Sequence, residues 1–125
     1  MKVSGSRRIP SFLVLLVLVT TTSGWIFHNR LTKSTPEKDD VLTEAPQTIQ
    51  LWFTEAPELV LSSITLKSAD NAKVALGKLR KTEDVKSVTA LITGPIRPGS
   101  FTVEWKTAGK DGHVIRGKYS FTLKP

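Results

Sequence analysis

The chain has no cysteine, a single methionine at its first position, and only two histidines, His28 and His113, among 125 residues. Without thiols there can be no thiolate metal site, no iron–sulfur cluster, no cysteine nucleophile and no disulfide. A small domain outside the cytoplasm often leans on disulfides. This one must be held by a hydrophobic core alone, which a sandwich of about 100 residues can supply. Soft metal ligands are missing from everything after Met1. Helical patterning is scarce too: no segment sustains apolar residues at a 3.6-residue spacing, and the pattern predicts only a short turn of helix around Asp39 to Leu42. The unbroken apolar run Phe12 to Val19 is short of the ~20 residues that a membrane-spanning helix wants.

The formal charge is +7, and setting aside Lys2, Arg7 and Arg8 takes it to +4 for residues 25–125. Along the sequence the remaining cations are interspersed with acids, with no basic stripe and no interleaved aromatics. Nucleic-acid binding is therefore not expected, because phosphate recognition needs a clustered footprint. Residues 1–24 read as a signal peptide: Lys2, Arg7 and Arg8 form the positive region, Phe12 to Val19 the apolar region, and Thr20 to Gly24 a small-residue exit. That places a single domain, residues 25–125, outside the cytoplasm. The rival is an uncleaved anchor over Ile9 to Phe27, leaving the domain tethered and facing the periplasm.

What is present is alternation. Ile49, Leu51 and Phe53 face one way, and Gln50, Trp52 and Thr54 the other. Phe101, Val103 and Trp105 repeat the pattern, as do Tyr119, Phe121 and Leu123. Further strands are expected at Arg30 to Ser34, Leu59 to Lys67, Lys73 to Leu79 and Lys86 to Thr93, separated by turn residues such as Ser68 to Asn71 and Gly94 to Gly99. Six to eight short strands with turns about every ten residues predict an all-β fold, a small antiparallel sandwich. Trp105 reads as core. Trp52 stands on the other face of its strand, either covering that face or meeting a partner.

The last two runs are joined by Gly109, Lys110, Asp111 and Gly112, so Asp111-Gly112-His113 sits at the connection of two antiparallel strands. A carboxylate and a neutral imidazole two residues apart are half of a four-ligand site for a borderline metal. The plainer reading stands beside it: Asp-Gly is a common hairpin turn, and a histidine after it is ordinarily a solvated strand start.

A second stretch shifts that balance. His28-Asn29-Arg30-Leu31 through Ser34-Thr35-Pro36, then Ala45-Pro46, then Ile49 to Phe53 closing in Thr54-Glu55, resembles the opening of the CopC family of periplasmic copper-resistance proteins. The run Pro98-Gly99-Ser100-Phe101 to Lys106, followed by Asp111-Gly112-His113 and Gly117 to Phe121, is similar to the same family's later motifs. The resemblance implies a Greek-key β-barrel with an immunoglobulin-like look. It also implies a Cu(II) site built from His28, Asp111 and His113, with Glu55 nearby to orient a ligand. The implied function is sequestering or delivering copper, without enzymatic activity, as a monomer that works with a CopD-like inner-membrane copper transport protein. The family's Met-rich Cu(I) pocket has no counterpart, since Met1 is the only methionine.

The family uses the free amine of an amino-terminal histidine, and here the residues depart from it. Cleavage after Gly24 fits the small-residue rule, whereas cleavage before His28 would set Trp25 and Phe27 at positions that want small residues. Trp25-Ile26-Phe27 would then precede His28, leaving three side-chain ligands and no amine. The alternative function is an immunoglobulin-like interaction module whose metal site has degenerated.

Overall fold

The computed structural model describes Gly5 and residues 29–125. The expected signal segment, Trp25 to Phe27 and His28 lie outside the described residues. Among those described, no helix is long and apolar enough to cross a membrane.

Among the described residues, nine strands form two facing sheets: β1 (Leu31–Thr35), β2 (Val41–Leu42), β3 (Thr48–Phe53), β4 (Ser63–Ser68), β5 (Lys73–Val74), β6 (Arg80–Lys81), β7 (Ser87–Leu91), β8 (Gly99–Ala108) and β9 (Val114–Leu123). One sheet has the order β1-β3-β7-β6 and the other β2-β9-β8-β4-β5. The chain changes sheet at every connection except β4–β5, β6–β7 and β8–β9. This is the all-β sandwich that the alternation predicts, with the immunoglobulin-like look that the resemblance implies, although it has nine strands where six to eight are expected and β2 pairs in parallel with β9.

The period-two residues meet between the sheets. Ile49, Leu51 and Phe53 of β3 and Val88 of β7 face Leu66 of β4 and Val103, Tyr119 and Phe121 of β8 and β9, all nearly or fully buried. Each such side chain contributes about 1.5–3 kcal/mol on burial. Phe101 and Phe121, paired in register, stack with centroids 5.4 Å apart. Trp105 faces the same interior, edge-on to Phe53 at 5.3 Å. Its indole lies across Gly117, its register partner, so closely that a Cβ at 117 would overlap the ring.

Trp52 covers the outer face of its strand. A bulge in the β1–β3 pairing between Leu31 and Lys33 sets Lys33 opposite Trp52, with the ammonium 4.7 Å from the ring centroid. The ring is capped by its own chain, a cation–π contact that shields an aromatic face.

Three local expectations need correction. The turn of helix around Asp39 to Leu42 is instead strand β2. Asp39 adopts φ 63°, Glu37 N–H donates to Asp40 Oδ2 at 2.9 Å, and the chain then runs parallel to β9, with Thr122 N–H donating to Asp40 O and Lys124 N–H to Leu42 O. Edge pairing with a distant strand overrides local propensity. The strand expected over Leu59 to Lys67 begins only at Ser63. Leu59–Leu61 is a 3-10 turn, because the Ser62 hydroxyl donates to Glu58 O at 2.7 Å and holds the backbone curled. The strand expected from Lys73 to Leu79 stops at Val74 and returns only as a bridge from Leu76 to Ile92 in the other sheet.

Candidate metal centre

Strands β8 and β9 pair without interruption from Gly99–Leu123 to Ala108–Val114, so the sequence between them closes at one end of the sandwich. Gly112 N–H donates to Gly109 O at 3.0 Å, and Gly112 has φ 76°, a conformation that favours glycine. The turn therefore holds Asp111 and His113 on either side of its tightest point. Asp111 Oδ1 accepts from His113 N–H at 3.0 Å, and Oδ2 lies 3.1 Å from His113 Nδ1.

Both side chains are open to solvent, His113 at 88% and Asp111 at 62%. As an ion pair this contact is therefore worth little. The backbone N–H of His113 does most to hold the Asp111 carboxyl below the usual carboxylate range; desolvation opposes it, and the His113 ring adds to the lowering. Asp111 is thus a fixed anion. Two donors 3.1 Å apart have the separation of neighbouring ligands on an ion with bonds of about 2.0 Å. Alternatively, with Nδ1 turned to the carboxylate, Nε2 is the nitrogen left facing solvent.

A second wall is built from the residues after β3. Thr54, Glu55 and Ala56 line an open cleft of about 510 Å³ with Lys86, Lys110 and Asp111. Glu55 lies against the turn itself, since a Cβ on Gly109 would stand 2.5 Å from Glu55 Oε2 and 3.6 Å from Asp111 Oδ1. The wall is anchored on three sides. Phe53 N–H donates to Lys86 O at 2.9 Å, Glu58 N–H to Ala108 O at 2.8 Å, and the Ser62 and Thr107 hydroxyls meet at 2.7 Å.

Sequence reasoning missed the clamp that joins the amino-terminal end to this wall. Asn29 Oδ1 accepts from Thr54 Oγ1 at 3.1 Å and from Glu55 N–H at 3.2 Å. Arg30 N–H donates to Thr54 Oγ1 at 3.1 Å, and Thr54 N–H to Arg30 O at 3.0 Å. Only the Phe53-Thr54-Glu55 motif hinted at it. The residue that follows His28 in the chain is therefore bonded to the backbone of Glu55. Asp111, His113 and Glu55 are brought to one end of the sandwich, and His28 lies outside the described residues. Among the described residues, no three of His, Asp and Glu converge closely enough to hold an ion by themselves.

Comparison with known proteins fits this arrangement. The CopC domain model matches residues 31–124. The chain belongs to the CopC domain family. Protein YobA of Escherichia coli K12 is 31% identical to this CopC domain protein over 112 residues, 89% of this chain and 90% of YobA. The crystal structure of CopC from Methylosinus trichosporium OB3b superposes with a TM-score of 0.71 at 26% identity, covering 78% of this chain and 95% of that one. PcoC, described as a methionine-rich copper resistance protein from Escherichia coli, superposes with a TM-score of 0.70 at 31% identity, covering 78% of this chain and all of PcoC. This CopC domain protein departs from PcoC in that richness, since its one methionine is Met1.

Proposed function

We propose that this CopC domain protein binds copper outside the cytoplasm as Cu(II), and sequesters it or delivers it in copper resistance and homeostasis. The observation that carries the reading is the Asp111–His113 pair, with Oδ2 and Nδ1 3.1 Å apart at the rim of a cleft shared with Glu55. Membership of the CopC family and likeness to a copper resistance protein support it.

The proposed ligands are His113, Asp111 and His28, with Glu55 orienting one of them. His28 is assigned because Asn29, its neighbour in sequence, is bonded to Glu55. Two imidazoles and a carboxylate suit Cu(II), the tightest-binding divalent ion of the first-row series at such a site. Cu(I) prefers thioether and thiolate donors, and residues 25–125 contain neither. The protein works without catalysing a reaction, as a periplasmic monomer released from its signal segment or, alternatively, anchored by it. A CopD-like inner-membrane protein is the proposed copper partner.

A second reading, an immunoglobulin-like interaction module with a degenerate metal site, is favoured by the exposure of the His113–Asp111 pair. Titration with Cu(II) followed by EPR separates the two. One equivalent bound through nitrogen ligands, and lost in His113→Ala, supports copper binding; no stoichiometric binding leaves the interaction module.

A further inference from the structure

The cations that are interspersed with acids along the sequence are gathered by the fold. Lys67 of β4 pairs with Lys73 of β5, and across β8 and β9 the rows run Thr65–Glu104–Lys118 and Ser63–Lys106–Arg116. The residues between them, Leu66, Val103 and Tyr119, are buried in the core, so all of these point outward from the five-stranded sheet. That outer face carries five cations, Lys67, Lys73, Lys106, Arg116 and Lys118, against one carboxylate, Glu104. Glu104 is engaged by Lys67 at 3.2 Å. Among the described residues no carboxylate lies within ion-pair distance of the other four.

We propose that this outer face of the five-stranded sheet docks on an anionic phospholipid surface. Charge complementarity calls for an anionic partner, and the rest of the face selects which kind. Its other side chains in these two rows and in the row of Lys67 are the hydroxyls Ser63, Thr65, Thr102 and Ser120. Protein interfaces draw their affinity from clustered aromatic and aliphatic anchors, and the outward side chains of these rows form no such cluster; the exposed Val41 and Val114 stand apart, at opposite ends of β9. A shallow groove of about 500 Å³ runs over Trp105 and Gly117, and apart from Glu104, which Lys67 engages, its polar rim of Ser63, Thr65, Lys106, Arg116 and Lys118 is the donor set that phosphate oxygens accept from. A broad sheet face meets a planar array of headgroups without deformation and without inserting. Lys106 and Arg116 lie two residues inside the Ala108–Val114 pair that opens the metal turn, so docking holds the cleft beside the membrane. The proposal does not depend on copper.

The test is co-sedimentation of the protein, purified as its host processes it, with vesicles of phosphatidylcholine alone or mixed with phosphatidylglycerol. Each cation near an anionic surface is worth about fivefold in affinity. The triple variant Lys106→Gln, Arg116→Gln, Lys118→Gln should lose about a hundredfold on mixed vesicles. A control that removes equal charge elsewhere, Lys78→Gln, Lys81→Gln, Lys124→Gln, should lose far less. Binding should be absent on phosphatidylcholine alone and should fall with added NaCl. All six positions are exposed, so unfolding does not confound the comparison. Equal loss in the two triple variants, salt-insensitive binding equal in all forms, or no binding to mixed vesicles would overturn the proposal. Tighter binding to polyglutamate than to vesicles would assign the face to an acidic protein and overturn it as well.

Discussion

The carboxylate of Asp111 holds His113 twice, through the backbone N–H at 3.0 Å and the ring Nδ1 at 3.1 Å. The first contact shapes the turn and the second aims the imidazole, so a change at Asp111 touches charge and geometry together. Metal sites tuned in this way ordinarily lose affinity in steps when the orienting group is altered.

His113→Ala should therefore weaken Cu(II) by more than about a hundredfold, and Asp111→Asn by about ten- to a hundredfold, because an amide oxygen can still coordinate but brings no charge. Neither should lower the melting temperature appreciably, since both residues are exposed at the strand ends. Because Asp111 is held below the usual carboxylate range, mild acidification should leave it an anion, and copper release should not track its protonation. Isothermal titration at several pH values checks all three.

Asn29→Ala tests the clamp. It removes the acceptor for Thr54 Oγ1 and Glu55 N–H, and should cost about 1–2 kcal/mol of stability at roughly one hydrogen bond's worth each. If His28 is a ligand, the same change should weaken Cu(II) about tenfold, because the chain next to that ligand is no longer fixed. Loss of stability with unchanged copper affinity would separate the clamp from the site.

The amino terminus gives a third outcome. Mature protein should begin at Trp25 if Thr22 and Gly24 direct cleavage, and amino-terminal sequencing reads this directly. A chain engineered to begin at His28 should then bind Cu(II) more tightly, with an added nitrogen in its EPR spectrum from the free amine. Equal affinities and spectra for the two forms would mean either that the natural chain is already trimmed to His28 or that the amine plays no part, and amino-terminal sequencing says which.

The sandwich was legible because its core strands alternate cleanly. Ile49-Leu51-Phe53, Phe101-Val103 and Tyr119-Phe121-Leu123 are the residues that the fold buries. Strand β2 was not legible, because Val41 and Leu42 owe their conformation to a parallel partner some eighty positions away. The turn that brings Asp111 and His113 together in the candidate site could be read from a turn signal, but the Asn29–Thr54 clamp could not, since it joins residues 25 positions apart that carry no periodic pattern. The basic face was hidden for the same reason: Lys67, Lys106 and Lys118 become neighbours only through strand register.

Gly117 supports the core and should not tolerate a side chain. A Cβ there would overlap the Trp105 indole, which is packed on Phe53 and would have to shift. Gly117→Val should destabilise by about 1–3 kcal/mol, the usual cost of overpacking. Combining it with Trp105→Leu should recover part of that loss, and denaturant unfolding of the single and double variants measures the coupling.

Tyr119 should make the fold less stable at alkaline pH. Its side chain is nearly buried, and its hydroxyl, beside Ser34, has no hydrogen-bond partner among the described residues. Burial pushes the phenol up to about 12 from its ordinary 10.0; the Ser34 hydroxyl opposes the shift, and the charge of Asp40 adds to it. Below pH 10 the phenol is neutral in both folded and unfolded chains, and its full contribution to stability is present. Between about 10 and 12 the unfolded chain loses the proton while the folded chain retains it, so stability falls as pH rises, by about 2–3 kcal/mol in all. Tyr119→Phe removes a buried hydroxyl without a partner, so it should leave stability at pH 7 within about 1 kcal/mol of the natural protein. The same variant should flatten the fall above pH 10, and denaturant midpoints measured from pH 7 to 12 on both proteins compare the slopes. Identical alkaline slopes would show that Tyr119 ionises as readily in the folded chain as in the unfolded one.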